Sequence, residues 1–326
     1  MIIEPAPAKI NLALHVRRRR ADGYHDIETL FAFCADGDEV RVRGADQNRF
    51  EIIGPFASAL KDPHPSPLRG SPSPGGRGVS GEQRPALFRS GRGPDRPDTG
   101  PAAAGGGKGE GDGWSTNNLV VRAALGFTAA FGIRTRHAIT LDKRLPVAAG
   151  IGGGSADAAA TLRALARLHD ISWDDPRLAT LAASLGADVP ACLDGRTAFG
   201  TGRGDALTTL EGLAGAPVLL VNPGIPIATA AVFARWDGID RGPVPDGPLL
   251  DRARTGRNDL EPPARLIAPV IGDVLDDLAA AAGATLSRMS GSGATCFALF
   301  EDTAARDAAA AQAAAQDWWT LATTLT

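Results

Sequence analysis

The sequence has no long apolar run. No stretch approaches the roughly 20 consecutive apolar residues that a helix needs to cross a bilayer. Residues 1–16, MIIEPAPAKINLALHV, also lack the basic segment followed by a long apolar one that marks a signal peptide. These two absences predict a protein that neither spans a membrane nor is exported, and we expect it to be cytoplasmic.

Cysteine is scarce, and so is any excess of charge. Cys34, Cys192 and Cys296 are odd in number, lie far apart and include no pair with metal-ligand spacing. We therefore expect buried, reduced thiols rather than disulfides or a cysteine-bound metal. The formal net charge is only −3, so no overall charge attracts nucleic acid or an anionic membrane, and neither is expected as a partner.

Proline and glycine are concentrated in one segment, residues 60–113. These 54 residues hold 9 Pro and 14 Gly, whereas apolar residues are rare. Such a chain cannot bury enough apolar surface to offset the entropy that it loses on ordering. We predict a disordered insertion between a strand that ends near Ile53 and a helix that starts near Asn118.

Outside this segment, strand and helix patterns are mixed without a regular repeat of βαβ units, which favours an α+β fold. Strand patterns occur at residues 9–16, 38–44, 137–146, 216–224 and 318–325, and 284–302 reads as strand, glycine turn, strand. Helical patterns occur at residues 117–132, 155–170, 174–186, 262–283 and 303–316.

The most informative stretch is the glycine-rich turn from Gly150 to Gly154, which leads through Ser155 into a helix. The first N–H groups of a helix have no internal partners and form an anion site with the helix dipole. Glycines let the backbone approach phosphate oxygens closely. A tight turn without a ligand explains an arbitrary sequence of this kind about as well.

Two familiar phosphate motifs do not fit this turn. A P-loop needs a lysine before the final serine or threonine, and here Ser155 directly follows Gly154. A dinucleotide fingerprint is suggested by Asp170, about 20 residues downstream, where a ribose-binding acid would lie. However, that fingerprint normally opens an α/β domain, and no βαβ unit surrounds this turn.

Three motifs in order carry a resemblance to the GHMP kinases. The stretch PVAAGIGGGSADAAATLRAL, residues 146–165, resembles their phosphate loop. PAKINLALHV at residues 7–16 and MSGSGATCFALF at residues 289–300 resemble their N-terminal and C-terminal motifs. The segments at residues 19–31, 185–205, 222–233 and 257–261 resemble one branch, the 4-diphosphocytidyl-2-C-methyl-D-erythritol kinases of the non-mevalonate route to isoprenoids. The resemblance covers the whole chain except residues 60–113.

The resemblance implies two catalytic residues. Lys9 in PAKIN and Asp188 in GADVP match the catalytic lysine and aspartate of the family. Asp188 would accept the proton of the substrate hydroxyl. Lys9 would keep Asp188 ionised and stabilise charge on the attacking oxygen. Phosphoryl transfer depends mostly on placement and electrostatics, so a held triphosphate, a cation and a proton acceptor suffice.

The resemblance also implies a nucleotide site that binds ATP with Mg²⁺. Asn118 and Lys143 match adenine-pocket residues, and Ser155 is the one residue that we would name as a weak metal ligand. The phosphate loop itself comprises Pro146, Val147, Ala148, Ala149, Gly150, Ile151, Gly152, Gly153, Gly154 and Ser155.

The implied small-molecule substrate is cytidine diphosphate methylerythritol. Tyr24 and Phe233 match the residues that sandwich its cytosine ring, and His25 matches the one that bonds the base edge. Asn11 and Thr229 match contacts to the methylerythritol and cytidine portions. The run of arginines from 17 to 20 is read mainly as solvated turn charge, with steering of the anionic substrate as a minor alternative.

The fold implied by the resemblance is a two-domain GHMP kinase fold. Residues 1–205 would form an N-terminal domain like domain 2 of ribosomal protein S5, and residues 206–326 a ferredoxin-like C-terminal domain that contributes to substrate binding. Two alternatives stay open: a GHMP kinase for another alcohol, and a non-catalytic binding module, since this domain type also occurs in RNA-binding proteins. We expect a monomer or a weak homodimer.

Overall fold

The computed structural model describes residues 1–61 and 117–326. The segment predicted to be disordered, residues 60–113, lies outside the described residues except for Leu60 and Lys61, which end a short helix instead. The strands are β1 (Ile2–Arg19), β2 (His25–Ala45), β3 (Arg49–Ile53), β4 (Arg136–Asp142), β5 (Ala198–Thr201), β6 (Ala206–Thr209), β7 (Pro217–Asn222), β8 (Ala284–Met289), β9 (Cys296–Phe300) and β10 (Trp319–Thr324). The helices are α1 (Ala57–Lys61), α2 (Leu119–Phe131), α3 (Gly153–Leu168), α4 (Pro176–Leu185), α5 (Val189–Asp194), α6 (Thr229–Phe233), α7 (Leu249–Thr255), α8 (Glu261–Ile267), α9 (Val270–Ala280) and α10 (Thr303–Ala314).

The first sheet is built on the long antiparallel pair of β1 and β2. Its order is β3-β4-β2-β5-β6, with β1 also paired to β2. β3 and β4 pair in parallel, and the other pairs are antiparallel. Helix α3 packs on both long strands, and α2, α4 and α5 pack around it. Six of the ten buried residues of α3 are alanines, which lets the helix lie close to the sheet.

The second sheet is antiparallel throughout, in the order β10-β7-β9-β8. α9 and α10 pack on it. A third apolar cluster joins the two sheets, where Ile10 and Leu30 of the first share a core with Leu220 and Phe297 of the second. The mixed α and β elements confirm the α+β prediction. β6 begins at residue 206, the predicted domain boundary, and still pairs with β5 in the first sheet.

The helix predicted over residues 262–283 is wrong, because two helices occupy it. α8 ends at Ile267, Ala268 adopts φ −134° and ψ 87°, and α9 begins after Pro269. A proline lacks a backbone N–H, and its ring disfavours helical backbone at the preceding residue. Two short helices, α6 and α7, lack enough turns for a readable period and were not predicted from the sequence. The helix after the glycine turn starts at Gly153 rather than at residue 155.

Candidate active site

A cavity of about 1050 Å³ brings the predicted site residues together. The exception is Ile151, which is 1% exposed and packs in the core between the sheets. Its side chain does not line the cavity, and its place in the nucleotide loop stays a prediction. The lining includes Lys9, Asn11, Tyr24, His25, Asn118, Lys143, Pro146, Val147, Ala148, Ala149, Gly150, Gly152, Gly153, Gly154, Ser155, Asp188, Thr229 and Phe233.

The glycine turn has the geometry of an anion-binding loop. Ala148, Gly150 and Gly152 have positive φ angles of 54°, 76° and 65°. Gly152 caps α3 without a side-chain hydrogen bond to the helix. The first N–H groups of α3 therefore face the cavity without a side-chain cap, which suits an anion at the positive end of the helix dipole. Asn118 caps the other helix on this cavity, since its Oδ1 accepts from the N–H of Val120 at 2.8 Å.

The second glycine loop, residues 290–295, supports the first by backbone contact. The hydroxyl of Ser290 donates to the carbonyl of Gly150 at 2.9 Å, and the N–H of Thr295 donates to the carbonyl of Ala149 at 3.1 Å. A Cβ at Gly150 would lie 2.5 Å from the carbonyl oxygen of Ser290. A Cβ at Gly291 would lie 2.7 Å from the carbonyl oxygen of Gly150. Both positions therefore require glycine.

Asn258 holds this second loop, and sequence reasoning gave it no role. Its Nδ2 donates to the carbonyls of Met289 and Gly291 at 2.7 and 2.8 Å. Its neighbour Asp259 accepts from the N–H of Val16 at 2.8 Å, which ties the same segment to β1. The sequence signal was the RNDLE stretch, which contributed to the resemblance without a stated function for its side chains.

Lys9 and Asp188 lie side by side beneath the glycine turn. Lys9 Nζ lies 3.1 Å from Asp188 Oδ2 and donates to Asn11 Oδ1 at 3.0 Å. A Cβ at Gly152 would lie 2.9 Å from Lys9 Cε, so the start of α3 passes directly over the lysine. Asn11 in turn donates to Thr29 Oγ1 at 2.7 Å. The predicted catalytic pair is therefore assembled at the mouth of the anion site.

Lys143 bridges two buried carboxylates. Its Nζ lies 2.5 Å from Asp38 Oδ2 and 2.7 Å from Asp157 Oδ2. The other oxygen of Asp38 accepts from the N–H groups of Arg144 and Leu145 at 2.6 and 2.8 Å. Lys143 Nζ would lie 3.0 Å from a Cβ at Gly153, so this cluster sits against the phosphate loop. Sequence reasoning found only the lysine, because no local spacing links Asp38 to it.

Charges in this cluster are set by burial and by each other. Burial raises the pKa of Asp157 to about 7 against the opposing effect of Lys143, and its Oδ1 has no hydrogen-bond partner among the described residues. Burial disfavours the charge of Lys143, but the two carboxylates outweigh it and raise the pKa of the lysine. The cluster therefore keeps a cation next to the loop.

Aromatic rings line the opposite end of the cavity. The rings of His25 and Phe233 stack with centroids 4.7 Å apart, and Trp236 meets His25 edge-on. Tyr24 is 56% exposed, with the guanidinium of Arg203 5.2 Å from its ring centroid. Burial, and secondly the charge of Arg19, lower the pKa of His25, which favours a neutral imidazole. This end offers ring faces and a neutral hydrogen-bonding group.

The predicted contacts Asn11 and Thr229 both line the cavity. Thr229 begins α6, and its hydroxyl lies 2.9 Å from the Ser292 hydroxyl.

No group of three or more His, Cys, Asp or Glu that could hold a metal ion occurs within residues 1–61 and 117–326. In the same ranges, no helix is long and apolar enough to cross a membrane. The three cysteines are free and buried, as predicted.

Known proteins resemble this chain along its whole length. Residues 118–196 match the N-terminal domain of GHMP kinases, and residues 246–317 match their C-terminal domain. A 4-diphosphocytidyl-2-C-methyl-D-erythritol kinase of Rhizorhabdus wittichii is 50% identical, over 99% of this chain and 94% of the relative. One of Novosphingobium aromaticivorans is 43% identical, over 98% and 90%.

Solved structures give the same picture for the fold. A crystal structure of 4-(cytidine 5'-diphospho)-2C-methyl-D-erythritol kinase is 31% identical, with a TM-score of 0.70 and 99% of each chain covered. A homoserine kinase from Cytophaga hutchinsonii is 17% identical with a TM-score of 0.59, covering 98% of this chain and 92% of the other. The second likeness concerns the fold alone. The two GHMP kinase domain matches and the first crystal structure confirm the predicted GHMP kinase fold.

Proposed function

The chain belongs to the 4-diphosphocytidyl-2-C-methyl-D-erythritol kinases, a family of GHMP kinases, and we propose that it transfers the γ-phosphoryl group of ATP to the 2-hydroxyl of 4-diphosphocytidyl-2-C-methyl-D-erythritol. This reaction is a step in the non-mevalonate route to isoprenoid precursors. Its substrates are small molecules, and we expect it to act on them in the cytoplasm.

The contact of Lys9 with Asp188, 3.1 Å apart at the start of α3, is the observation that carries this proposal. A phosphoryl acceptor bound here meets a carboxylate, an ammonium group and the N-terminus of a helix within one cavity. The first can take a proton, and the other two can stabilise negative charge. The carboxylate, the ammonium group and the helix N-terminus together are what phosphoryl transfer to an alcohol requires.

In the proposed mechanism, Asp188 accepts the proton of the 2-hydroxyl as its oxygen attacks the γ-phosphorus. Lys9 lies close enough to stabilise charge on both the carboxylate and the attacking oxygen. The N–H groups at the start of α3 hold the charge that spreads over the phosphoryl oxygens. Asn11 keeps Lys9 in place, because its Oδ1 accepts from the lysine while its Nδ2 is held by Thr29.

The ATP site extends from this loop toward Asn118 and Lys143. Residues 146–155 hold the triphosphate. Asn118 and Lys143 are the residues that match the adenine pocket, and the ammonium group of Lys143 lies beside the loop at Gly153. Mg²⁺ would shield the phosphate charges. Its usual coordination, mostly by phosphates and water, suits this loop, because Ser155 is the one residue from 146 to 155 with a side-chain oxygen. Lys143 is held rigidly by its two carboxylates, which limits its entropy loss on binding nucleotide.

The cytidine end of the substrate lies among the aromatic residues. Phe233 and Tyr24 stack on the cytosine, and His25 in its neutral form bonds the base edge. Phe233 contacts His25 at 4.7 Å, so the base takes its place beside rings that are already ordered. Thr229 and Asn11 contact the cytidine and methylerythritol portions. The domain with the phosphate loop then extends beyond the predicted boundary at residue 205 to the end of β6 at Thr209, and the residues after it form a second domain that contributes Thr229 and Phe233.

The experiment is release of ADP from ATP in the presence of the cytidine-diphosphate substrate. We expect release that requires this substrate, and no comparable release with homoserine, mevalonate or galactose. Equal release with one of those alcohols and none with the cytidine compound would support a GHMP kinase for another alcohol. Absence of ATP binding would instead favour a non-catalytic binding module.

A further inference from the structure

Four cations line the active-site cavity, and three of them have carboxylate partners. Lys9 pairs with Asp188, and Lys143 pairs with both of its buried carboxylates. Arg203 lies 2.8 Å from Asp205. Arg19 is the fourth, and none of the described residues places a carboxylate within ion-pair distance of it. Among residues 1–61 and 117–326, Arg19 is therefore the cavity cation whose charge is available to a ligand.

The arginines next to Arg19 along the chain behave differently. Arg18 lies 2.5 Å from Asp26, and Arg20 lies 2.9 Å from the same carboxylate. Arg17 lies 2.7 Å from Glu28. These three are parts of surface ion pairs, as expected for solvated turn charge, and none of them lines the cavity. The four arginines are adjacent in the sequence, but in the structure three form surface ion pairs and Arg19 lines the cavity.

Arg19 lies at the cytidine end of the cavity. It is the antiparallel cross-strand partner of His25, and such partners have Cβ atoms about 5 Å apart. Its charge also contributes to the lowered pKa of His25. A ligand whose base lies against His25 and Phe233 therefore has Arg19 beside it. Between its base and its reacting alcohol, the proposed substrate carries two phosphates.

We propose that Arg19 binds the diphosphate of the substrate. This inference rests on the proposed function, because it takes the cytidine-diphosphate alcohol as the ligand. A guanidinium presents several N–H donors in a planar fork and bonds phosphate oxygens in pairs. Arg203 serves a different purpose, since Asp205 balances its charge and it lies over the ring of Tyr24. Arg19 would therefore select for a nucleoside diphosphate over the nucleoside.

The test compares Arg19→Gln with the matched control Arg18→Gln. Each removes one positive charge from adjacent positions, but Arg18 is 77% exposed and outside the cavity. Binding of CDP and of cytidine is measured by calorimetry for both variants and the wild type. We expect Arg19→Gln to weaken CDP binding about fivefold, as for a partly exposed charge pair, and to leave cytidine binding unchanged. Arg18→Gln should leave both unchanged.

Kinetics supply a second readout. In Arg19→Gln, we expect the KM of the cytidine-diphosphate substrate to rise while kcat and the KM of ATP stay constant. The inference is overturned if CDP binding is unchanged, or if cytidine binding falls equally, because Arg19 would then act on the base through His25. With either of these outcomes, the proposed function still stands if the wild type phosphorylates the cytidine-diphosphate substrate. A wild type that binds neither CDP nor cytidine refutes both proposals.

Discussion

Lys9 and Asp188 form an ion pair whose two members differ sharply in exposure. The lysine side chain is 3% exposed and the aspartate side chain 37%. Lys9 is enclosed by Asn11 and by the ring of Phe31, whose centroid lies 5.0 Å from its Nζ. Asp188 is open to the cavity. The pair therefore has a fixed cation and an accessible carboxylate, which is the arrangement that a proton acceptor needs.

Asp188→Asn should abolish most turnover. The substitution keeps the size of the side chain and removes its negative charge, so packing around Lys9 should survive. We expect kcat to fall by more than about tenfold, or ~1.4 kcal/mol, while the Kd of ATP changes little because the phosphate loop makes no use of this residue. Asp194→Asn is the control, since Asp194 ends the same helix and pairs only with Arg196 at the surface. A kcat within tenfold of the wild type would remove Asp188 from the mechanism.

Gly150→Ala should damage the ATP site more than its backbone angle alone requires. Gly195 is the matched control: its φ is 67° against 76° for Gly150, and a Cβ there would meet nothing within 4 Å. Gly195→Ala should lower the free energy of unfolding by about 1–2 kcal/mol, the usual cost of left-handed backbone. Gly150→Ala adds contacts with the second glycine loop at 2.5 and 2.8 Å. We expect its Kd for ATP to rise by at least about tenfold. Equal effects of the two variants on ATP binding would show that the loop contact is unimportant.

Asp38→Asn should destabilise the protein. The amide oxygen can still accept from the N–H groups of Arg144 and Leu145, so the NH2 group takes the place of the oxygen that accepts from Lys143, and the change removes both the charge and that hydrogen bond. Breaking a buried pair while its partner stays buried costs about 3–5 kcal/mol, and the remaining bond to Asp157 should reduce this to roughly 2–3 kcal/mol. Urea denaturation measures it. Asp36→Asn is the control, because Asp36 is exposed and accepts only from the Thr323 hydroxyl. Equal stability of the two variants would contradict the prediction.

A contact between the buried His137 and the half-buried His169 should make the stability depend on pH. His137 Nε2 lies 2.8 Å from His169 Nε2, and burial lowers the pKa of His137 to about 4 from its usual 6.5. The unfolded chain therefore binds a proton at this residue before the folded one does. The contribution of His137 to the free energy of unfolding is fully present above pH 6.5. About 3 kcal/mol of it is lost as the pH falls toward 4. Urea denaturation at pH 7.5 and 4.5 should show a smaller loss for His137→Leu than for the wild type. An unchanged loss would mean that other groups cause it.

Local signals predicted the parts of the site that lie within one element. Gly150 to Ser155 follow a strand and begin a helix, and the anion site could be read from them. Asn118 and Gly132 mark the ends of α2 correctly. The apolar periodicity of residues 262–283 predicted one continuous helix, but the chain breaks it at Pro269. A proline inside a helical pattern is itself a signal of such a break.

Contacts between distant residues could not be predicted in the same way. Asp38 approaches Lys143 because β2 and β4 pair and a turn follows β4. Asn258 approaches Gly291 because its segment lies between β1, where it bridges to Leu14, and the loop that follows β8. Neither spacing appears in the sequence, and burial reverses the usual expectation that an aspartate lies at the surface. The predicted catalytic pair rests only on the resemblance, since Lys9 and Asp188 carry no local signal.

The hydrogen bonds between the two glycine loops join residues that the ribosome makes at very different times. Gly150 emerges long before Ser290 and Thr295, the residues that hold its carbonyl and that of Ala149. Domains generally begin to fold from the N-terminal side during synthesis. The nascent N-terminal half can thus form its sheet and α3 while the nucleotide loop still lacks its external supports. Competence to bind ATP is therefore gained late, when the C-terminal sheet arrives, and a nascent chain that stalls before residue 290 would not be trapped with nucleotide.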